Sequence, residues 1–162
     1  MATQPLMPHQ MTDPADIRRF ILAGNSTFTL RNSTTGRRYT LKVVLPKKDG
    51  KVQYGAPHFV KLMDGSDNET SYKYMGIIRN TDTTEKNYSH GGVKAKIPVQ
   101  ARAHTTFDWL WRTLEGKNHA GKTLADFPTF EFWHEGRCGR CGRKLTVPES
   151  IAAGIGPECA GK

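Results

Sequence analysis

The stretch that decides the fold reads STFTLR at residues 26–31, NSTTG at residues 32–36 and RYTLKVVL at residues 38–45. The first and last of these segments are rich in β-branched and aromatic residues, which favour strands. The middle segment consists of Asn, Ser, Thr and Gly, which are residues typical of turns. The sequence therefore predicts a β-hairpin that spans residues 26–45.

A second pair of strands follows the hairpin. The segments HFVKLM at residues 58–63 and YKYMGII at residues 72–78 are apolar, and a polar segment separates them. Residues 46–54 are basic and rich in turn residues, which predicts an exposed loop. Residues 79–92 have almost no apolar content, so we expect a long loop or an extended edge there.

Two helices flank these strands in the sequence. The first is predicted over residues 13–24, where Asp13 supplies a capping side chain and Pro14 occupies the first helical position. The second is predicted over residues 99–114, because apolar residues recur there at intervals of three and four. These are Val99, Ala103, Phe107, Leu110, Trp111 and Leu114.

The predicted fold class is α+β: a mostly antiparallel sheet with two packed helices and a small C-terminal zinc module. We expect a flexible leader at residues 1–12, an α+β body at residues 13–128 and a zinc-binding module at residues 129–162. A short strand with the sequence FEFWH, at residues 130–134, leads into that module.

All three cysteines of the protein lie near its C-terminal end. Cys138 and Cys141 are separated by two residues, a spacing that lets two thiolates from one tight turn bind a single Zn²⁺. Cys159 follows 18 positions after Cys141 and supplies a third thiolate. The pattern therefore predicts a zinc site with these three cysteines as ligands.

A structural zinc site takes four ligands, so one further donor is required. His134 stands four residues before Cys138, which makes it our candidate for a Cys₃His site. Three alternatives stay open: a water molecule, a residue of a partner chain, and His119. Water as the fourth ligand would describe a catalytic zinc ion rather than a structural one.

The segment CGRCGRKLTVPESIAAGIGPEC, at residues 138–159, resembles a known signature. It is similar to the pattern CxxCGRxLTxPxSxxxGxGPxC of an uncharacterised domain-of-unknown-function family that is common in bacteriophages and actinobacteria. The resemblance covers about residues 133–160. It implies that Cys138, Cys141 and Cys159 bind metal, and that the protein is of phage or prophage origin. It implies no activity.

The chain carries 24 Lys and Arg residues against 15 Asp and Glu residues, a net charge of +9 with a pI near 9.6. Such a charge favours polyanionic partners, either nucleic acid or an acidic protein surface. Two sets of basic residues are candidate binding sites. The first, in the zinc module, is Arg137, Arg140, Arg143 and Lys144; the second, on the hairpin and the segments after it, is Arg37, Arg38, Lys42, Lys47, Lys48, Lys51 and Lys61.

Both sets have two interpretations. The arginines of the module either clamp phosphates or neutralise the zinc-bound thiolates. The second set, interleaved with Tyr39, Tyr54 and Phe59, either follows a single strand of nucleic acid by charge and stacking, or is a solvated sheet edge that lysines protect from aggregation.

The sequence favours a small zinc-stabilised, phage-encoded accessory protein that binds DNA or RNA. An alternative is a protein-interaction module that inhibits a host anti-phage defence complex, and a more remote one is a zinc-dependent hydrolase. No P-loop, Gly-x-Gly-x-x-Gly motif or ordered Ser, His and Asp triad is present, which disfavours an enzyme. Without an apolar run or secretory signal, we expect the host cytoplasm as its location.

Overall fold

The computed structural model describes residues 9–53, 55–63, 72–80, 86–118 and 120–134. The predicted ligands Cys138, Cys141 and Cys159, the basic residues of the module, His119 and Tyr54 lie outside the described residues. The predicted zinc module is therefore represented by its first strand.

Nine strands are described in the chain order β1 to β9, and two α-helices accompany them. The strands are β1 Gln10–Met11, β2 Asn25–Asn32, β3 Arg38–Val44, β4 Lys47–Lys48, β5 Lys51–Val52, β6 His58–Met63, β7 Tyr72–Asn80, β8 Lys86–His90 and β9 Phe130–His134. The helices are α1 Pro14–Ile21 and α2 Arg102–Leu114, and short 3₁₀ turns lie at Gly92–Lys94 and Leu124–Asp126.

Seven of these strands form one sheet in the order β1-β9-β2-β3-β6-β7-β8, in which all neighbouring strands are antiparallel. The predicted hairpin is β2 and β3, and the predicted second pair is β6 and β7. The fold class is confirmed in its main part, since the described residues form a mostly antiparallel sheet with two helices.

Both helices pack on the same face of the sheet. The ring of Phe28 on β2 lies 6.4 Å from Phe20 of α1 and 6.2 Å from Phe107 of α2. Phe132 on β9 stacks on Phe28 at 4.9 Å. Because side chains alternate between the two faces of a strand, alternate residues along the strands point to the helices and form one core with them.

Helix α1 begins as the sequence predicts. The Asp13 side chain accepts hydrogen bonds from the backbone N–H groups of Ala15 and Asp16, at 2.8 and 3.1 Å. A cap of this kind contributes about 1 kcal/mol to helix stability. The helix then buries Phe20 and Ile21 against the sheet.

Helix α2 is shorter than predicted. It begins at Arg102 rather than at Val99, and Val99 is 51% exposed, so its assignment to the apolar stripe was wrong. A turn closed by the hydrogen bond from the Ala101 N–H to the Pro98 carbonyl, at 3.0 Å, precedes the helix, and the extended backbone of Ala101 (ψ 136°) sets the boundary. Trp111 is buried in the core as its position in the stripe predicts.

Strand β9 lies inside the sheet, between β1 and β2. Its residues Phe130 to His134 pair with β2, and Phe132 and Trp133 also pair with β1. The first residues of the segment predicted as the zinc module, and Gln10–Met11 from the segment predicted as a leader, are thus parts of the main sheet.

Three strands lie in segments for which the sequence predicted a loop or, for β8, a loop or an extended edge. Strands β4 and β5 form a two-stranded ribbon that turns at Asp49 and Gly50, both with positive φ (54° and 76°). Asp-Gly at such a turn is a recognised hairpin signal, which the prediction of a loop overlooked. Strand β8 pairs with β7 at the edge of the sheet, which is the extended edge that the sequence left as an alternative to a loop. Its one buried apolar side chain, Tyr88, gives too weak a periodicity to decide between the two from the sequence.

Strand β7 contains a glycine because a neighbouring side chain occupies the space of its missing Cβ. A Cβ on Gly76 would lie 2.6 Å from the backbone oxygen of Ser89 and 2.6 Å from Cε1 of Tyr88. Tyr88 thus crosses β7 at this point to reach the core, where its ring meets Phe107 at 4.7 Å.

We predict that Gly76→Ala lowers the free energy of unfolding by about 2 kcal/mol, because the added methyl group has no space and must displace backbone. Gly55→Ala is the matched control, since a Cβ there meets nothing within 4 Å. Urea denaturation of both variants and the wild type measures the difference. Equal stability of the two variants would contradict the close approach of Tyr88.

Candidate functional site

One face of the sheet carries no described helix. We call it the open face, and it consists of the side chains that alternate with those of the core. Its cations are Arg31, Arg38, Lys42, Lys61 and Arg79, its aromatic residues are Phe59, Tyr72, Tyr74 and Trp133, and Thr27, Thr29, Thr40, Ile77 and Glu131 also belong to it.

The aromatic residues of the open face are partly exposed. Phe59 and Tyr74 meet edge to face at 6.0 Å between ring centroids. The Nζ atom of Lys42 lies 5.6 Å from the ring centroid of Tyr72, within the range of a cation–π contact. Trp133 donates from its indole nitrogen to the Glu131 carboxylate at 3.2 Å. The open face therefore carries rings on β6, β7 and β9, and cations on β2, β3, β6 and β7.

The central strands place like charges opposite each other. Lys42 on β3 is the direct partner of Lys61 on β6, an arrangement that disfavours strand pairing when no anion is near. No carboxylate of the described residues lies within ion-pair distance of either lysine. The Lys42–Lys61 pair is therefore a cationic centre on a sheet surface.

A second like-charge pair, Arg31 and Arg38, lies at the hairpin end of the same face. Here Glu131 of β9 offsets the charge, because its carboxylate binds the Arg31 guanidinium at 2.7 Å. Arg38 is exposed. The open face thus retains a net positive charge that runs diagonally from Arg38 to Lys61.

The structure divides the second predicted basic set. Arg38, Lys42 and Lys61 lie on the open face together with Phe59. Arg37 is in the β2–β3 turn. The remaining members, Lys47, Lys48 and Lys51, lie on the β4–β5 ribbon, which is not part of the sheet.

Sequence reasoning did not assign Trp133, Tyr72, Tyr74 or Arg79 to this face, and it grouped Tyr39 with the wrong one. Tyr39 pairs with Leu30, whose side chain is buried, so it lies on the helix-bearing face. The alternation of side chains along a strand would have assigned Trp133 to the open face, once β9 was known to pair with β2.

His134, the predicted fourth zinc ligand, is the last residue of β9 and is 4% exposed. Its ring stacks on that of His9 at 5.0 Å, and its backbone N–H donates to the His9 carbonyl at 3.0 Å. Phe20 contacts the ring at 5.7 Å. His134 thus ends the sheet where the cysteine segment begins. No group of three metal-ligating side chains occurs among residues 9–134 as far as they are described.

A polar cluster lies under the edge of the sheet, where β8 meets α2. Burial raises the pKa of Tyr88 far above its usual value, so its hydroxyl keeps its proton, and it forms a hydrogen bond with Nδ1 of His104 at 2.8 Å. His90 donates from Nε2 to the Ile97 carbonyl at 2.6 Å and accepts at Nδ1 from the N–H of Gly92. The cluster is thus a hydrogen-bonded structural network of β8 and α2.

Burial also lowers the pKa of His104; the nearby His90 lowers it further and Asp108 raises it. Asp108 itself pairs with Arg112 at 3.1 Å rather than with His104. His104 is therefore neutral in the folded protein near neutral pH.

The comparisons with known proteins match one part of the chain. Residues 129–162 match a family described as a family of unknown function, DUF6011. The match begins one residue before β9, so the family segment includes a strand of the main sheet. It supports the resemblance to an uncharacterised domain. No curated protein and no solved structure matches the chain.

None of the described helices has the length and apolar character that a membrane span requires.

We predict that the protein loses stability on acidification below pH 6.5. His104 has a lowered pKa when folded, so the unfolded chain takes up its proton first as the pH falls from 6.5. One such group contributes a slope of at most about 1.4 kcal/mol per pH unit. Denaturation at pH 7.5 and 5.5 measures the loss. In His104→Asn, which keeps an acceptor for Tyr88, the loss should be smaller; an unchanged loss would show that other groups cause it.

Proposed function

We propose that the protein binds single-stranded nucleic acid on the open face. The observation that carries this proposal is the Lys42–Lys61 pair, which lies among partly exposed aromatic rings without a carboxylate of the described residues to offset it. A phosphate between the two ammonium groups would convert a repulsive cross-strand pair into two attractive contacts.

The shape of the surface favours a single strand over a duplex. Proteins that bind single strands combine cations along the backbone path with aromatic rings on which bases stack. The open face offers rings on β6, β7 and β9, on both sides of the Lys42–Lys61 pair. A duplex would present only phosphates to this face and leave the rings without partners. The two basic strands β2 and β3 lie between the rings of β9 and those of β6.

We further propose that a zinc ion holds the C-terminal segment to this sheet. The donor set of three cysteines and one histidine is that of a closed structural site. His134 fits such a role in its position, because it is buried at the end of β9, directly before the cysteine segment. In that arrangement the metal stabilises the segment. The same proposal includes further phosphate contacts in the C-terminal segment, made by Arg137, Arg140, Arg143 and Lys144. It also includes a phage origin of the protein.

The first prediction concerns charge. We expect Lys42→Gln/Lys61→Gln to weaken binding of a labelled single strand and to reduce the slope of log affinity against log salt by about 0.7, since the pair neutralises one phosphate and each neutralised phosphate of a single strand contributes about 0.7. Fluorescence anisotropy at several salt concentrations measures both quantities, for DNA and for RNA.

The matched control for this pair is Arg19→Gln/Arg112→Gln. It removes the same two charges from exposed helix positions on the opposite side of the sheet, where each arginine has a surface ion pair worth under about 1 kcal/mol. An equal effect of both double variants would mean that net charge alone drives binding. If the wild type binds no single strand at low salt, the proposal is wrong, and a host protein retained after nuclease treatment would favour the alternative of an acidic protein partner.

The second prediction concerns stacking. Trp133→Leu should weaken single-strand binding by about 1–3 kcal/mol, because a stacked base loses its aromatic partner. Trp133→Phe keeps a ring and should retain most of the affinity. Anisotropy titrations compare the two variants, and urea denaturation checks that both are folded. Equal affinity of the Leu and Phe variants would exclude stacking at this position.

The third prediction concerns metal. The purified protein should contain one Zn²⁺ per chain, and Cys138→Ser/Cys141→Ser should lose it, as elemental analysis measures. Replacement by Co²⁺ provides the test of His134, because the visible spectrum of Co²⁺ reports its ligands. A spectrum that His134→Asn leaves unchanged would remove His134 from the ligand set.

A further inference from the structure

A cleft of about 450 Å³ opens on the helix-bearing side of the sheet, away from the open face. It lies between the β2–β3 turn, the first turns of α2 and the segment that leads into β9. Its volume falls in the range of about 300–1,000 Å³ that small-molecule sites occupy. It shares one lining residue, Arg31, with the open face, and it includes none of the predicted zinc ligands.

Aromatic side chains form much of its wall. Trp109 of α2 meets Phe127 edge to face at 4.8 Å and Phe130 at 5.2 Å, and Tyr39 of β3 lines the cleft as well. All four are partly exposed. The rings of Phe127 and Phe130 hold Trp109 in place, so this wall is formed before any ligand arrives and costs little ordering on binding.

The polar lining of the cleft is cationic. Arg37 from the β2–β3 turn and Arg102, the first residue of α2, line it and are exposed. No carboxylate of the described residues lies within ion-pair distance of either, and none lines the cleft. Arg31 also lines it, but its guanidinium binds Glu131. The first turn of α2 adds the positive end of the helix dipole.

We propose that this cleft binds a nucleotide unit, with the base against the aromatic wall and the phosphate between Arg37 and Arg102. An apolar planar wall and two guanidinium groups together match an aromatic ring that carries a phosphate, since guanidinium binds phosphate in a bidentate manner. The ligand is either a free mononucleotide or one nucleotide of a strand. The cleft does not depend on the open face, because the two share neither the lysines nor Trp133.

The test is a titration of the full-length protein with uridine and adenosine 5′-monophosphates, followed by tryptophan fluorescence and calorimetry. We expect saturable binding of the monophosphates, and at least about tenfold weaker binding of both inorganic phosphate and the unphosphorylated nucleosides, because each lacks one half of the contacts. Arg37→Gln/Arg102→Gln should lower the affinity for the monophosphates by about tenfold or more. Both positions are exposed, so we expect the variant to fold.

The control Arg19→Gln/Arg112→Gln removes the same charge from helix positions outside the cleft and should leave mononucleotide affinity unchanged. The proposal is overturned if nucleotide binding does not saturate up to about 5 mM, which corresponds to negligible affinity. It is also overturned if the two double variants bind the monophosphates equally well, or if inorganic phosphate binds as well as the nucleotides.

The variant Lys42→Gln/Lys61→Gln, in which the open face should bind a strand more weakly, distinguishes the two sources of the nucleotide. A 5′-phosphorylated oligonucleotide that displaces the monophosphate from this variant identifies a nucleotide of a strand as the ligand. An oligonucleotide that does not displace it identifies a free nucleotide. Mononucleotide binding that persists in this variant also shows that the cleft binds independently of the open face. The proposal for the cleft and the proposal for the open face can therefore fail separately.

Discussion

The pairing of β9 with β2 is the contact on which the rest of the structure depends. It brings residues about a hundred positions apart in the chain into one ladder, from Phe28 opposite His134 to Asn32 opposite Phe130. It also places Phe132 on Phe28, at the centre of a core that includes rings from both helices. Because β1 pairs with the other edge of β9, this late strand joins the first described strand to the hairpin.

One-sided packing follows from this core and determines where binding is possible. With α1 and α2 on the same face, the alternate side chains of β2, β3, β6 and β9 are left to the other face, where polar, cationic and aromatic residues replace the aliphatic ones. A sheet face of this kind ordinarily carries mixed charges for solubility. Here the cross-strand partners Lys42 and Lys61 have the same sign, which is a cost to the fold that an anionic partner would offset.

Local signals explain which elements the sequence predicted. Asp13 and Pro14 mark a helix start, and the alternation in residues 26–45 marks a hairpin, because both depend on neighbours in the chain. The position of β9 depends on long-range pairing, so its composition predicted a strand but not its place in the sheet. Tyr88 shows the same limit: a lone apolar residue in a polar segment is buried because Gly76 and α2 leave space for it. The open face and the cleft could not be predicted from local sequence for the same reason, since both combine residues that only the order of strands in the sheet brings together.

The covalent chain connects the open face to the predicted zinc module. Trp133 lies on the open face, and four residues separate it in number from Arg137, the first of the module's basic residues. Four residues of fully extended chain span at most about 14 Å. By chain length alone, Arg137 therefore lies within reach of a strand that stacks on Trp133 in the proposed complex. A structural zinc site would then act on binding indirectly, because it would fix the cations that follow β9 relative to Trp133.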